Sequence, residues 1–373
     1  MKVAILTITD GQNYGNRLQN YALQQVLLKL GCEVDTIKIS TYRDRSFKKE
    51  VFFILKQVTK RALLRENTFF GQILRKRKFQ QFNRLINWSS ISLQNNIIPH
   101  ALDEMYDFFI CGSDQIWNTR IRIVNDNINN YLASFVSGEK RISYGASFGT
   151  KVLDTKVEDL FRKELSLFKA LSVREKAGQE IIRVLCNRTD TQVVLDPTLM
   201  VGADEWSHIA HQPPYVSNKK YVLTYFLGGR SEKLDAYIEG VTEKIEATTI
   251  DLDIEFLSDD NIKNMKQFCT PPDEFLWLVK HAECVLTDSY HATAFSILFH
   301  KPFVVFMRKS TEKRNDMGIR INNLLSLFDI KCFRGDLEKP SIVPNSYDFV
   351  HVDAVLERER KRSETFLRNA LFQ

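Results

Sequence analysis

The sequence predicts an α/β protein made of two doubly wound, Rossmann-like domains that face each other across a cleft. The chain of 373 residues is longer than one hydrophobic core usually supports. Short apolar runs alternate with helical patterns almost throughout, which is typical of parallel sheets wound with helices. The segment from Val201 to Lys220, which includes the polar, proline-rich HQPPYVSNKK, is the predicted linker between two such alternations. The boundary between the domains is therefore predicted near residue 205.

The first alternation predicts an N-terminal domain over residues 1–205. It opens with a strand, VAILTI, and a helix from about Arg17 to Leu30 that Gly31 closes. The strand EVDTIKI follows. The remaining strands are YDFFICG, RISYGASFG, ALSVR and TQVVLDPTL, and the remaining helices are VEDLFRKELSLF and KAGQEIIRVL.

The second alternation predicts a C-terminal domain over residues 206–345. Its strands are YVLTYFL, IEFLS, ECVLTDS and PFVVFM, and its helices are SEKLDAYIEGVTEKI, PDEFLWLVKHA, HATAFSILF and IRINNLLSLF. Residues 346–373 read as one helix, which we expect to pack back on the N-terminal domain.

The composition excludes several classes of protein. Hydrophobic content of 44% and charged content of 26% are those of a globular protein. No apolar run approaches the ~20 residues of a spanning helix, and the N-terminal run ends at Asp10, so a cytoplasmic protein is expected. Six scattered cysteines without a CxxC pair indicate reduced thiols and no metal site.

The positive charge is concentrated in one segment. The chain carries +6 in all, yet residues 41–85 hold 13 Lys and Arg against three acidic residues, a local balance of +10. We interpret residues 41–88 as a basic helical insertion, with Gly71 as a break between two helices. A solvated basic face is one interpretation. A surface for anionic lipid or a polyanionic substrate is the other, whereas nucleic acid is disfavoured because no base-stacking motif accompanies the charge.

Polar residues gather where four predicted strands end. In open α/β sheets ligands bind at the carboxyl ends of the strands, so these clusters predict a binding site. They are Asn13, Gly15, Asn16, Arg17 and Gln19; Ser113, Asp114 and Gln115; Arg174; and Asp288, Ser289, Tyr290 and His291.

Each candidate also has a structural interpretation. Arg174 suits bidentate capture of a carboxylate or phosphate, although arginines more often form surface ion pairs. His291 suits proton transfer or anion binding, or it is a packed histidine. Ser113 and Asp114 are ordinary helix N-caps as well as candidate ligands. Asp196, before a proline, is interpreted as a structural stop after a buried strand.

Several motifs are missing from the sequence. It has no GxxxxGK[ST] loop and no GxGxxG after the first strand, which weakens nucleoside triphosphate and dinucleotide functions. It also lacks HExxH and GxSxG. No cofactor or catalytic metal is therefore predicted.

Six motifs in order resemble those of the polysaccharide pyruvyl transferase family: NYGNRLQNYALQ, CGSDQIWN, ISYGASFG, SVREKAG, VVLDPTL and TDSYHATAFSILFHKPFVVF. IRINNLL after the loop KSTEKRNDMG agrees as well. The resemblance implies the two-domain GT-B architecture. It also implies transfer of the three carbons of phosphoenolpyruvate onto two sugar hydroxyls, as a cyclic pyruvate ketal, with release of phosphate.

By position in these motifs, the resemblance implies that Arg174 and His291 bind phosphoenolpyruvate. Some members have Arg-Leu before the histidine, where this chain has Ser289 and Tyr290. Arg320, Arg308 or Lys309 would then supply the second positive charge.

The resemblance and the chemistry of the donor lead to an expected mechanism. His291 is the candidate for the acid or for the phosphate-leaving step, and Asp288 or Asp114 receives the hydroxyl proton. The acceptor is a sugar in an exopolysaccharide or capsule precursor, often lipid-linked. The basic residues 41–85 would then rest on the inner face of the membrane. Two alternatives remain open: a nucleotide-sugar glycosyltransferase and a non-catalytic glycan-binding relative.

Overall fold

The computed structural model describes residues 1–9, 12–40, 67–94, 102–252, 264–306, 318–330 and 347–373. Within these ranges the chain forms two larger parallel sheets wound with helices, and one small two-stranded sheet. The strands are β1 Lys2–Leu6, β2 Glu33–Ser40, β3 Trp88–Gln94, β4 Phe108–Gly112, β5 Arg141–Tyr144, β6 Ser172–Val173, β7 Gln192–Val193, β8 Tyr221–Tyr225, β9 Thr248–Asp251, β10 Cys284–Thr287 and β11 Phe303–Val305.

The helices are numbered in the same way. They are α1 Tyr14–Lys29, α2 Asn67–Phe82, α3 Leu102–Met105, α4 Arg122–Asp126, α5 Ile128–Tyr131, α6 Thr155–Ser166, α7 Lys176–Cys186, α8 Pro197–Met200, α9 Ala203–Ile209, α10 Glu232–Lys244, α11 Met265–Phe268, α12 Pro272–His281, α13 Tyr290–Leu298, α14 Gly318–Leu327 and α15 Phe349–Phe372. Two 3₁₀ turns lie at Asn83–Leu85 and Gly138–Lys140.

The first sheet has the strand order β3-β2-β1-β4-β5, and its strands pair in parallel. The order reverses between β1 and β4, where the loops after the two strands diverge and leave a crevice. Single bridges from Ile142 to Ala170 and from Ala146 to Val173 attach the small β6–β7 sheet beyond β5. The sequence did not predict β3, because WSSISLQ alternates weakly and lies at the edge of the basic insertion.

The second sheet has the order β11-β10-β8-β9, again with parallel pairs. Its order reverses between β8 and β10, which makes that edge its crevice. The predicted strand IEFLS lies outside the described residues, and the strand beside β8 is Thr248–Asp251. The proposed linker contains the helix α9, so only its proline-containing part is irregular.

Helix α1 begins at Tyr14, three residues before the prediction. The side chain of Asn13 caps it by accepting hydrogen bonds from the N–H groups of Gly15 (2.8 Å) and Asn16 (3.4 Å). Gly31 follows the helix with φ +86°, a conformation that glycine adopts without the steric cost of a Cβ. Because α1 begins at Tyr14, Gly15 lies in its first helical turn and not in the loop that precedes the helix.

The hydrophobic core crosses from one sheet to the other. Val3 and Ile5 on β1 belong to a cluster that also contains Leu223 on β8 and Phe275 on α12. Ala4 and Leu6 point to the opposite face and a second cluster, as the two-residue period of a strand requires. The Tyr14 ring stacks on Phe275 at 4.4 Å, so the start of α1 is packed against the second half of the chain.

The described part of the basic insertion differs from its prediction. Gly71 lies inside α2 and does not break it; a Cβ there would be 2.5 Å from the Met265 sulfur, so close packing explains the glycine. Arg75 is buried, donates hydrogen bonds to the carbonyls of Phe268 and Gln12, and stacks over Tyr14. Arg75 therefore ties α2 to α1 and α11, and residues 41–66 lie outside the described ranges.

The last helix, α15, packs against the segment around α8. Ser363 Oγ accepts the N–H of Leu195 at 3.0 Å, and Arg360 donates to the carbonyl oxygens of Leu199 and Val201. The domain limits at residues 205 and 345 stay predictions. Within the part of the chain that the structure describes, no helix combines the length and hydrophobicity needed to cross a bilayer.

Candidate functional site

The structure brings Arg174 and His291 together beside one buried carboxylate. Arg174 follows β6, and Asp196 follows β7 as the N-cap of α8. The Arg174 guanidinium donates to Asp196 Oδ2, and His291 Nε2 lies 3.8 Å from the same oxygen. The two residues that the sequence analysis singled out therefore share Asp196 as a neighbour.

Asp196 is fixed from its other side as well. Its Oδ1 accepts the N–H of Thr198 at 3.0 Å and the Thr198 hydroxyl at 2.7 Å, the usual geometry of a helix cap. The hydroxyl of Ser113, at the end of β4, lies 3.4 Å from Oδ2. Asp196 was predicted only as a structural stop after a buried strand. It is in fact the N-cap of α8 and the central carboxylate of the site.

Asp114 and Arg320 complete the charged part of the site. Asp114 Oδ1 lies 3.5 Å from one nitrogen of Arg174 and 3.6 Å from one nitrogen of Arg320. Arg320 lies near the start of α14 and is 6% exposed. Its contact with Asp114 brings it together with site residues from the first half of the chain. Arg308 and Lys309, the alternative sources of charge, lie outside the described residues.

The ring of Tyr290 lies against both arginines. The guanidinium carbon is 4.6 Å from the ring centroid for Arg174 and 5.8 Å for Arg320, within the range of cation–π attraction. The His291 ring meets Tyr290 edge-on at 5.2 Å. We call Arg174, Arg320, Asp114, Asp196, Tyr290 and His291 the arginine–histidine cluster.

The first turn of α1 closes the site against His291. A Cβ on Gly15 would lie 2.0 Å from His291 Nδ1, far inside any real contact distance. Only glycine therefore allows the imidazole its position. Arg17, two residues further along α1, is 5% exposed.

Other predicted residues hold the surrounding loops. Both oxygens of Asp288 accept backbone N–H groups, from Leu227 and Gly228 at 2.8 Å, which joins the loops after β8 and β10. Ser289 caps α13 through the N–H of Ala292. Gln19 donates to Thr7 Oγ1 at 2.8 Å and to the carbonyl of Asn16, and Gln115 accepts from Asn118 at 2.7 Å.

The local electrostatics follow from burial and the close charges. Burial would raise the pKa of Asp196, but the attraction of Arg174 and His291 and the Thr198 hydrogen bonds lower it to about 2. Burial opposes the charge on Arg174, yet Asp196, Tyr290 and Asp114 raise its pKa above the ordinary value. Burial lowers the pKa of His291, which Asp196 and Asp114 only partly offset, so its imidazole is neutral near pH 7.

The site lies at the crevices of both sheets. Residues 12–15 and 113–114 follow β1 and β4, and Tyr290 and His291 follow β10. These are the strands at which each strand order reverses. Within the described ranges no group of three metal-ligating side chains lies close enough to hold a metal ion.

The fold and this site define an α/β protein with GT-B-like architecture and a cluster of charged side chains at the strand ends. The model of the family described as polysaccharide pyruvyl transferase matches residues 13–310. The chain therefore belongs to the polysaccharide pyruvyl transferase family, as its motifs predicted. Among proteins of curated function, none matches it.

Solved structures of similar fold cover nearly the whole chain. The putative UDP-N-acetylglucosamine 2-epimerase of Listeria monocytogenes is 11% identical, with TM-score 0.50, over 98% of this chain and 89% of its own. The UDP-GlcNAc 2-epimerase of Methanocaldococcus jannaschii is 12% identical, with TM-score 0.50, over 100% of both chains. The Neisseria meningitidis enzyme bound to UDP-GlcNAc is 11% identical, with TM-score 0.50, over 100% of this chain and 95% of its own. These likenesses confirm the predicted GT-B-like fold class.

Proposed function

We propose that this protein transfers the enolpyruvyl carbons of phosphoenolpyruvate onto two hydroxyls of a sugar in a polysaccharide precursor. The product is a cyclic pyruvate ketal, and phosphate is released. The observation that carries the proposal is the convergence of Arg174 and His291 on Asp196, together with membership of the family. Arg174 follows a strand of the small β6–β7 sheet and His291 follows β10 of the second sheet. Only the folded chain therefore brings the two side chains together.

The arginine–histidine cluster suits a small, highly charged donor. Phosphoenolpyruvate carries a carboxylate and a phosphate, and guanidinium groups bind both through paired N–H donors. Arg174 and Arg320 approach the same carboxylate oxygen of Asp114, so both face one point in space. A ligand anion at that point would meet both charges.

The proposed reaction is an addition followed by a substitution. A proton is delivered to the methylene carbon of the donor, and one sugar hydroxyl attacks C2, which the ester oxygen stabilises. The second hydroxyl then attacks C2 as the C2–O bond to phosphate breaks. One hydroxyl proton replaces the proton delivered to the methylene group, and the other leaves with phosphate. Each positioned acid or base contributes about 10²–10⁴-fold to the rate.

His291 is the proposed acid, and binding of the donor is expected to raise the affinity of its ring for a proton. In the free protein burial lowers the pKa of His291, so the ring is mainly neutral near pH 7. An anion with up to three negative charges beside the ring would raise that pKa by direct attraction. Donor binding and protonation of His291 are therefore expected to be coupled.

The hydroxyl proton goes to Asp114 or Asp288. Asp114 belongs to the cluster, whereas the Asp288 oxygens accept the N–H groups of Leu227 and Gly228. Asp114 is favoured for this role by its location, because it lies beside the two arginines that are proposed to bind the donor. Separate Asp→Asn variants, compared by single-turnover rates, would assign the base.

The direct test is incubation of candidate acceptors with phosphoenolpyruvate, followed by mass spectrometry. We expect a gain of about 70 Da per acceptor and one phosphate per gain, both lost in His291→Gln. Thermal shift with UDP-sugars tests the glycosyltransferase alternative. Stabilisation by UDP-sugars and not by phosphoenolpyruvate, with no mass gain, would reject the proposed donor.

We also propose that the enzyme works at the inner face of the cytoplasmic membrane on a lipid-linked acceptor. Helix α2 exposes Ile73 (39%) and Leu74 (44%) beside the exposed Lys76 and Arg77. Apolar side chains flanked by basic ones suit an anionic lipid surface. Arg75 takes no part in such a surface because it is buried, and Lys78 forms an ion pair with Glu274 at 3.7 Å.

Sedimentation with liposomes containing phosphatidylglycerol tests this surface. We expect Lys76→Glu combined with Arg77→Glu to reduce binding at least severalfold, since each basic residue near such a surface contributes about 1 kcal/mol. The control is Lys361→Glu with Arg362→Glu, an equal change of charge at exposed positions of α15. Equal losses in both variants, or no binding by the unmodified protein, would contradict the proposed surface.

A further inference from the structure

Asp114 occupies an unusual place between two guanidinium groups. One carboxylate oxygen, Oδ1, lies 3.5 Å from Arg174 and 3.6 Å from Arg320. Both distances exceed those of a good charge-assisted hydrogen bond, which lie at about 2.7–2.9 Å. The carboxylate therefore balances two positive charges without binding either of them tightly.

Arg174 retains unused hydrogen-bond donors beside this carboxylate. Its side chain is 2% exposed, and its Nε and one terminal nitrogen, the one nearest Asp114, are buried without a hydrogen-bond acceptor. A buried donor without an acceptor is costly. The donors of Arg174 that face away from Asp196 are thus available to a ligand.

The backbone holds Asp114 independently of its side chain. Ser113 and Asp114 have φ values of +24° and +63°, a left-handed turn that aspartate and asparagine tolerate better than most residues. The Asp114 carbonyl accepts the N–H of Ser147 at 3.0 Å. The carboxylate can therefore move away from the arginines by side-chain rotation, while the turn keeps its place.

From these three observations we propose that Asp114 is an internal counter-anion. It occupies part of an anion site formed by Arg174 and Arg320, and an incoming phosphate-type dianion must displace it. The carboxylate thereby weakens the binding of all anions and selects those that carry more than one negative charge. This inference deepens the proposed function and rests on it only for the identity of the natural donor.

Calorimetric titration with inorganic phosphate tests the inference without acceptor or turnover. The variants are Asp114→Asn, which keeps the shape, and Asp114→Gly, which keeps the left-handed turn. Asp159→Asn is the control, because Asp159 is 95% exposed on α6 and its replacement changes the net charge equally. Circular dichroism establishes that each variant is folded.

We expect both Asp114 variants to bind phosphate at least about tenfold more tightly, since a like charge is removed from the site. Asp159→Asn should bind phosphate with unchanged affinity, and Arg174→Gln should lose binding. Equal or weaker binding by both Asp114 variants would overturn the inference, as would absence of phosphate binding in every variant. Failure to form a ketal would leave these affinities unchanged, so the two proposals fail separately.

Discussion

Two buried arginine–carboxylate pairs in the first half of the chain differ in how completely they are satisfied. Arg141, at the start of β5, donates to Glu164 at 2.6 Å and, through its other nitrogens, to the carbonyl of Val136. Arg174 is as deeply buried, yet Nε and one terminal nitrogen have no hydrogen-bond acceptor. We call the Arg141–Glu164 pair closed and the Arg174–Asp196 pair open, because Arg174 retains buried donors without an acceptor. We expect this difference between a structural pair and a binding site.

Replacing each arginine by lysine gives the largest expected contrast. Lysine cannot reproduce the paired donors of a guanidinium. We expect Arg174→Lys to lower kcat/KM for phosphoenolpyruvate by about 10²–10³-fold, the usual cost of removing an electrostatic contact in a preorganised site. Arg141→Lys should lower the free energy of unfolding and leave kcat/KM of the folded enzyme near its original value. Initial rates and urea unfolding of both variants measure the two effects, and equal losses of activity would remove the distinction.

Gly15→Ala extends the contrast to the imidazole that faces the open pair. The added methyl group must displace His291, because a Cβ would lie 2.0 Å from Nδ1. We expect kcat to fall by about 10²-fold or more, as for a misplaced proton donor. The control is Gly240→Ala in α10, where nothing lies within 4 Å of the new Cβ. That variant should gain about 0.5–1 kcal/mol of stability and keep its activity, and an active Gly15→Ala enzyme would exclude the assigned position of His291.

Removing the carboxylates compares the two pairs by stability. Asp196→Asn and Glu164→Gln each remove the closest charge partner of a buried guanidinium, a change that costs about 3–5 kcal/mol. We expect both to lower the free energy of unfolding in urea. Only Asp196→Asn should also lower phosphate affinity, because Asp196 holds the Arg174 guanidinium in position. Glu164→Gln with impaired phosphate binding would show that the closed pair supports the site as well.

Acid sensitivity is a further property of the open pair. The folded-state pKa of Asp196 is lowered to about 2, so its contribution to stability is complete above the unfolded value of about 4. That contribution is lost as the pH falls from about 4 to about 2. Acid titration followed by circular dichroism should show a smaller pH dependence of stability in Asp196→Asn than in the original protein.

Proton uptake is the smallest expected effect. Because burial lowers the pKa of His291, the free protein holds the ring neutral near pH 7, and a bound anion should raise that pKa. Calorimetric titration with phosphate in buffers of different ionisation enthalpy should show uptake of less than one proton. His291→Gln should abolish the uptake, and equal uptake in that variant would assign the proton to another group.

Local sequence patterns were enough to predict the sheets and the strand-end loops of this protein. Alternating apolar runs predicted the parallel sheets, and the polar residues after them located the strand-end loops, because both patterns depend on neighbours in the chain. Family motifs then identified Arg174 and His291. The sequence analysis placed Gly15 among the site residues for the same local reason.

Which of these residues lie together became clear only from the folded chain. Asp196 reads as a structural stop before a proline, and its role in the site appears when β7, β6 and α13 bring it between Arg174 and His291. Arg75 reads as surface charge, yet packing against Phe268 and Tyr14 buries it. Gly71 reads as a helix break, although the neighbouring Met265 is what requires it. Such roles depend on contacts between distant segments, and local sequence patterns carry no information about those contacts.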